Sequence, residues 1–298
     1  MAREIKKEQR IVITGGGGFL GEAVYKKIRT EHPTVPVFFL LHKRVPDYVK
    51  NAPYTTYSKG DISPGTFYSG DIVIHLAGRT HAISEKDYFD INYLLTKKLA
   101  EMAQVSGVRL FIYASTRAVS DTHGGYGRSK YLAEEAIKKS GVPYIILRFA
   151  EIYGGNKNEG IDHFIKKSKT KKIIFYPSGG APLAPIALFD AVYAIYAALC
   201  TPEAIGKIYT IAGPVSYSMK EMLRRLSQIF SRRLFFIPVP LFYIAFFIRT
   251  ANLFGFKKNA PDQVSRFRAP KEGDISAATR DLLFVPASLE KGVKSLFL

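Results

Sequence analysis

Short runs of β-branched and aromatic residues alternate with stretches of helical periodicity through the first half of the chain. The runs at 10–14, 35–41, 72–76, 110–114 and 144–147 predict strands, and the segments between them predict helices. Residues 88–106 read as one long helix ended by Gly107, and 127–140 as another ended by Gly141 and Pro143. Strands that alternate with helices are joined by crossovers, so they are expected to lie parallel in one sheet with helices on its faces. After Arg148 the rhythm loosens. Gly154, Gly155, Pro177, Gly179, Gly180, Pro182 and Pro185 punctuate short segments, while 187–199 predicts a helix and 208–211 a further strand. The expected organisation is a sheet domain over 1–150 and a smaller region over 151–298, part of which, about 186–213, returns to pack on the sheet. No internal repeat or low-complexity tract is visible.

The first strand runs directly into the most informative stretch, Thr14-Gly15-Gly16-Gly17-Gly18-Phe19-Leu20-Gly21. Glycines at 15, 18 and 21 between a strand and a helix read as a pyrophosphate cradle. Gly15 allows a tight turn, Gly18 lets the backbone approach the phosphates, and Gly21 lets the helix pack close to the strand, with the helix N-terminus facing the negative charge. With the alternating rhythm, this predicts an α/β fold: a Rossmann-type doubly wound parallel sheet with a smaller C-terminal substrate-binding region.

A second constellation carries chemistry. Tyr126 and Lys130 stand four apart at the start of a helix, so they share one face about a turn apart. A free tyrosine is a poor acid or base at neutral pH, and a neighbouring cation favours its charged form. The hydroxyl pair Ser115-Thr116 ends the strand near 110–114, and Leu76-Ala77-Gly78 ends the one near 72–76, at the sheet edge where doubly wound folds bind ligands.

Composition changes this picture in three places. The net charge is +18, but the lysines are scattered in short groups such as Lys26-Lys27, Lys138-Lys139 and Lys171-Lys172, which read as solvated faces; no nucleic-acid partner is expected, and a basic surface suits phosphorylated substrates or an anionic membrane. The single cysteine, Cys200, rules out an intramolecular disulfide and reads as a buried thiol, and 1–10 alternates basic and acidic residues without an apolar core, so a cytoplasmic protein is expected. The aromatic segment 234–256 is broken by Pro238 and Pro240, and its remaining run is far short of the ~20 residues that span a bilayer. It reads as a buried or interface helix, with peripheral membrane contact through 241–254 as the alternative.

At this point the chain resembles the NAD-dependent epimerase/dehydratase family, the extended or atypical short-chain dehydrogenases/reductases. The matching segments are 14–21, Gly60-Asp61-Ile62, His75-Leu76-Ala77-Gly78, Asn92, Tyr113-Ala114-Ser115-Thr116, Tyr126-Gly127-Arg128-Ser129-Lys130 and 147–155. The resemblance implies that Tyr126 exchanges a proton with a substrate hydroxyl or carbonyl. It implies that Lys130 holds the nicotinamide ribose and that Thr116, with Ser115 as second candidate, hydrogen-bonds the reacting oxygen. It also implies that Gly15, Gly18, Phe19, Leu20, Gly21, Asp61, Ile62, Leu76, Ala77, Gly78, Asn92 and Ile152 line the cofactor. Where NAD-selective sites place an acid after the second strand, this chain has Leu41-His42-Lys43-Arg44, which favours NADP(H) with Lys43 or Arg44 on the 2′-phosphate; NAD(H) is the alternative. A homodimer through the helices of 88–106 and 127–140 is the assembly the resemblance suggests.

The chain also departs from the family pattern. Thr116 is followed by Arg117-Ala118 rather than the Asp-Glu of 4,6-dehydratases, which argues against dehydration. The segment 180–185 lacks the arginine that commonly clamps a sugar nucleotide; Lys157, Arg266 and Arg268 are candidates to replace it. Arg79, Thr116, Asn156, Lys157 and Arg268 are the candidate substrate contacts, and no metal site is expected. The expected activity is reduction or epimerisation of a nucleotide-activated 4-keto sugar, with a non-catalytic NADPH-binding protein and a reductase of lipid-like or aromatic carbonyls as rivals.

Overall fold

A computed structural model of the chain describes residues 9–42, 45–50, 52–58, 61–82, 84–122, 124–156, 158–253, 267, 271 and 273–297. Its strands are β1 (Ile11–Thr14), β2 (Val37–Leu41), β3 (Tyr54–Thr56), β4 (Ile72–His75), β5 (Leu110–Thr116), β6 (Tyr144–Phe149), β7 (Ile152–Tyr153), β8 (Ile173–Ser178), β9 (Ile186–Ala187), β10 (Ile208–Ile211) and β11 (Phe235–Pro240). Seven of them form one parallel sheet in the order β10-β6-β5-β4-β1-β2-β3. Chain order reverses between β1 and β4. The strand ends there open a crevice, which is where ligands of doubly wound sheets bind.

The helices are α1 (Phe19–Glu31), α2 (Glu85–Tyr88), α3 (Leu95–Val105), α4 (Gly125–Ser140), α5 (Gly160–Thr170), α6 (Leu188–Cys200), α7 (Met219–Ile229) and α8 (Leu241–Leu253), followed by two short ones, Ser276–Leu282 and Leu289–Lys294. The sheet is covered on both faces, which explains why its strands read as continuous apolar runs. Ile11, Ile13, Phe39 and Ile74 face α1 and α6 in one core, and Val12, Leu40, Val73 and Phe111 face α3 and α4 in the other. The smaller region has its own core, in which Tyr153, Ile165, Ile174, Tyr176 and Leu226 pack with Val293. β10 joins the large sheet beside β6, and α6 packs on the face behind it.

Two sequence expectations change. The helix expected at 88–106 begins at Glu85, capped by Ser84 whose hydroxyl accepts the Asp87 N–H, and it passes through a π-helical stretch, Phe89–Leu94, before α3. The segment expected as a buried or interface helix is not wholly helical, and its aromatic side chains are not buried. Its first part is β11, where Pro238 and Pro240 sit in a two-stranded pairing with β8, and its second part is α8, whose aromatic side chains face outward. No described helix is long and apolar enough to cross a membrane.

α4 is fixed to the sheet by a buried carboxylate. Glu134 accepts from Arg148 Nη2 on β6 at 2.7 Å and from Ser115 Oγ on β5 at 2.5 Å. Glu134→Ala would remove the buried carboxylate to which Arg148 and Ser115 donate, and we expect a loss of about 3 kcal/mol in urea unfolding. A loss within experimental error would show that α4 is held by apolar packing alone.

Candidate active site

The cradle is built where β1 turns into α1. Gly15 has φ +71°, and a Cβ there would lie 2.5 Å from Ala77 N and 2.6 Å from Leu76 C, so the loops after β1 and β4 touch through a glycine. Thr14 Oγ1 joins them again by accepting the Ala77 N–H at 3.2 Å. A Cβ on Gly21 would lie 2.6 Å from Gly15 O and 2.8 Å from Gly16 Cα, so α1 rests on its own entry turn. Gly18 differs. Its backbone is extended, it is exposed, and a Cβ there would meet only Gly15 O at 3.4 Å. Neither conformation nor packing demands glycine at 18. The unfilled space at the N-terminus of α1 therefore fits a phosphate-bearing ligand brought against the backbone. Phe19 flanks it, and Gly155 packs on that ring, since a Cβ at 155 would lie 2.6 Å from Phe19 Cδ2.

Opposite the cradle, Tyr126 and Lys130 are both buried on α4. Tyr126 meets Tyr88 edge to face at 5.8 Å. Lys130 Nζ donates to Ala114 O at 2.8 Å and lies 4.5 Å from the centre of the Tyr113 ring. Burial pushes the ammonium down to about 7, against a smaller opposing pull from Glu134. A Cβ on exposed Gly78 would lie 3.3 Å from both Lys130 Nζ and Asn92 Oδ1, so a side chain there would crowd the lysine.

The threonine and the serine part company at the end of β5. Thr116 Oγ1 accepts the Ala118 N–H at 3.2 Å and keeps its own proton to donate. Ser115 corrects the sequence expectation: successive strand residues point to opposite faces, and its hydroxyl is bound to Glu134. Asn92 is likewise a positioning residue. It is fully buried in the π stretch, its Oδ1 accepts Arg79 N–H at 2.7 Å, and its Nδ2 donates to Arg79 O at 3.0 Å and Ser129 Oγ at 3.1 Å. Its amide thus fixes the loop after β4 to α4.

Leu76 is partly buried and Ala77 buried in that loop, while Arg79 is exposed, with its guanidinium 3.8 Å from Asp87. Ile62 is buried in the sheet core beside exposed Asp61, whose N–H donates to Ser58 O at 2.9 Å. Leu20 and Ile152 pack on the opposite core. Asn156 is exposed with φ +53°, one residue beyond the Gly155 contact on Phe19. Lys43, Arg44, Lys157, Arg266 and Arg268 lie outside the described residues.

Beneath this edge His75 is fully buried and held neutral, its pKa pushed down to about 3 by burial and then by Lys130. Thr96 gives its proton to Asn92 O at 2.7 Å and so accepts from His75 Nε2, leaving Nδ1 to accept from Thr14 at 2.6 Å. The imidazole is a structural link between β1, β4 and the first turn of α3. Among the described residues no group of three or more His, Cys, Asp or Glu is placed to hold a metal.

Sequence reasoning missed a charged cluster beside Thr116. Glu151, just after β6, accepts from Arg117 Nη2 at 2.8 Å and from Lys271 Nζ at 2.7 Å, and Arg117 also donates to Pro182 O at 3.0 Å. Burial raises the Glu151 carboxyl, but Lys271 and Arg117 together outweigh it and hold it below the usual carboxylate range. Two cations share one carboxylate, and the buried Nε of Arg117 has no protein partner. Among the described residues the cluster therefore carries surplus positive charge, buried next to Thr116. Its signal in the sequence was a cation where dehydratases carry an acid, read there only as the loss of that acid.

Residues 11–212 match the NAD dependent epimerase/dehydratase family. Among curated proteins the chain is 24% identical to a UDP-glucose 4-epimerase of Vibrio cholerae, covering 97% of this chain and 94% of that protein. It is 23% identical to the mitochondrial NADH dehydrogenase [ubiquinone] 1 alpha subcomplex subunit 9 of Mus musculus, covering 85% and 70%. Among solved structures it superposes on a UDP-glucuronic acid 4-epimerase variant of Bacillus cereus, in complex with a fluorinated UDP-glucuronic acid and NAD, with a TM-score of 0.75 at 19% identity, covering 97% and 98%.

Two outcomes test this geometry. Gly21→Ala should lower unfolding stability by about 2 kcal/mol because its methyl meets backbone. Gly18→Ala should cost about 1 kcal/mol or less yet weaken NAD(P)H binding at least about tenfold in calorimetry. Equal affinity for wild type and Gly18→Ala would place the dinucleotide elsewhere. Lys130 supplies the second test. Its folded-state pKa, about 7 against an ordinary 10.5, means that the unfolded chain binds a proton the native state refuses, so native stability rises with pH across that window. Lys130→Met should therefore be more stable than wild type below pH 7 in urea unfolding, with the gap closing toward pH 10.5. Parallel pH profiles for the two proteins would refute the buried-charge reading.

Proposed function

The chain belongs to the NAD-dependent epimerase/dehydratase family, and from that premise we propose that it epimerises a nucleotide-activated sugar at C4. The carrying observation is that Tyr126 and Lys130, four apart on α4, are both buried, with Lys130 next to Gly78 in the loop after β4. The cradle around Gly18 and the loop of Leu76 to Gly78 would hold a nicotinamide dinucleotide, which supplies reversible hydride chemistry at the reacting carbon. Tyr126 Oη takes the proton of the sugar hydroxyl and returns it. Lys130, one turn along the same face of α4, would hold the nicotinamide ribose beside it. Thr116 donates its hydroxyl proton to the same sugar oxygen, which orients the sugar ring.

The surplus charge of Arg117 and Lys271 suits the diphosphate of such a substrate and takes the place of the arginine that 180–185 lacks. Similarity to the Vibrio cholerae UDP-glucose 4-epimerase, extending over nearly the full length of both chains, supports epimerisation over ketoreduction. Lys43 and Arg44 support a preference for NADP(H), which sets this chain apart from the NAD-bound neighbour. A second reading, a nucleotide-binding protein with an assembly role, is favoured by the likeness to the mouse NADH dehydrogenase subunit. Tyr126 and Lys130 favour the enzyme.

The test is to purify the protein, identify any retained dinucleotide, and incubate it with UDP-glucose, UDP-N-acetylglucosamine and UDP-glucuronic acid while NMR follows the C4 epimers. Wild type should retain cofactor and interconvert one pair, and Tyr126→Phe should slow this about a thousandfold with cofactor still bound. Net NADPH oxidation with nucleotide 4-keto sugars would make it a ketoreductase instead. Cofactor binding without turnover of any of these would favour the assembly role.

A further inference from the structure

We propose that the face formed by β8, β11 and α8 docks onto an anionic membrane surface. The observation is a reversal of the usual strand pattern. β8 and β11 pair in register, Phe235 with Ile173 and Ile237 with Phe175, so these four side chains share one face of the two-stranded sheet. The other face is buried through Ile174 and Tyr176, and a solvated outer face would carry polar residues. Here it carries Ile173, Phe175, Phe235 and Ile237, of which Phe235 is 68% exposed.

α8 continues the same surface. Leu241 and Ile248, two turns apart, face the protein, and the pairs Phe242 with Phe246 and Tyr243 with Phe247, each one turn apart, face outward. Phe246 and Phe247 are 67% and 72% exposed. With thirteen residues α8 is about 20 Å long, long enough to lie in an interface and too short to cross one.

Charge identifies the occupant. Neither 163–189 nor 222–253 contains an aspartate or glutamate. The strands are entered through exposed Lys171, Lys172 and Arg233, and Arg249 is exposed near the end of α8. Apolar aromatics bordered by cations without a compensating acid match the acyl boundary and headgroups of an anionic leaflet. A second copy of the chain would bring the same positive charge against itself, which is unfavourable.

The surface also adjoins the candidate site. Pro240, which leads into α8, pairs with Ser178, and four residues beyond Ser178 the carbonyl of Pro182 accepts from Arg117. That stretch spans at most about 14 Å. Docking would therefore bring the Arg117 cluster beside Thr116 close to the bilayer surface.

The chain has no tryptophan, so Phe246→Trp creates a single reporter on the full-length protein. With mixed phosphatidylcholine–phosphatidylglycerol vesicles its emission should shift to the blue, and the protein should co-sediment. With phosphatidylcholine alone, or at high salt, both effects should weaken. Phe246→Ser with Phe247→Ser should reduce partitioning about a hundredfold, and Lys171→Glu with Lys172→Glu about tenfold, with circular dichroism and thermal unfolding unchanged because all four residues are exposed. The proposal is overturned if wild type does not co-sediment, if the variants partition equally, or if the aromatic variant instead turns a dimer into a monomer without altering vesicle binding. None of these readings depends on turnover, so they stand apart from the epimerase assay.

Discussion

Glu134 is a carboxylate almost wholly removed from water, and it faces three partners at once. It receives Arg148 from β6 and Ser115 from β5, and its field steadies Lys130 one turn earlier on α4. A buried charge of this kind is tolerated only with full compensation, so α4 has little freedom to rotate or slide against the sheet. Tyr126 lies a further turn toward the N-terminus on the same helix face. The position of the phenol over the crevice is thus set from below by an ion pair that never meets a ligand. The lysine gains less from this arrangement than it loses through burial, and the remaining strain is the form in which the fold holds a cation ready beside a tyrosine.

Much of this was legible in one dimension because it follows from local periodicity. The alternation of apolar runs and helical segments marked six of the seven strands of the large sheet but not the short edge strand β3, and Gly15, Gly18 and Gly21 marked the turn from β1 into α1. Gly15 and Gly21 carry steric roles visible in the backbone, whereas Gly18 is explained only by what it leaves empty. The family signature at 126–130 was equally readable, since two residues four apart on a helix meet regardless of what surrounds them.

Contacts between distant segments were not legible. Nothing in the order of residues reveals that Ser115 turns to Glu134 while Thr116 turns away, because that depends on which face of β5 meets α4. Arg117, Glu151 and Lys271 come from three separate stretches and form one cluster only after β5 and β6 pair and the C-terminal segment folds back. The aromatic segment was only half legible for a related reason. Apolar residues at helical spacing fit a core or an interface equally, and the register of β11 on β8 is what reveals that the fold leaves them uncovered.

The π-helical stretch at Phe89–Leu94 has a further effect. Each α-helical residue advances the screw by about 100°, and a turn that accommodates one residue more than usual offsets everything after it by a comparable angle. Tyr88 just before the stretch and Asn92 within it face α4 and the loop after β4; downstream, Leu95, Leu99 and Ala103 face the sheet core. The two halves of one continuous rod thus keep separate rotational phases. Substitutions that re-pack the downstream half can accumulate without turning Asn92 out of register, so the core and the crevice are free to drift independently along the same helix.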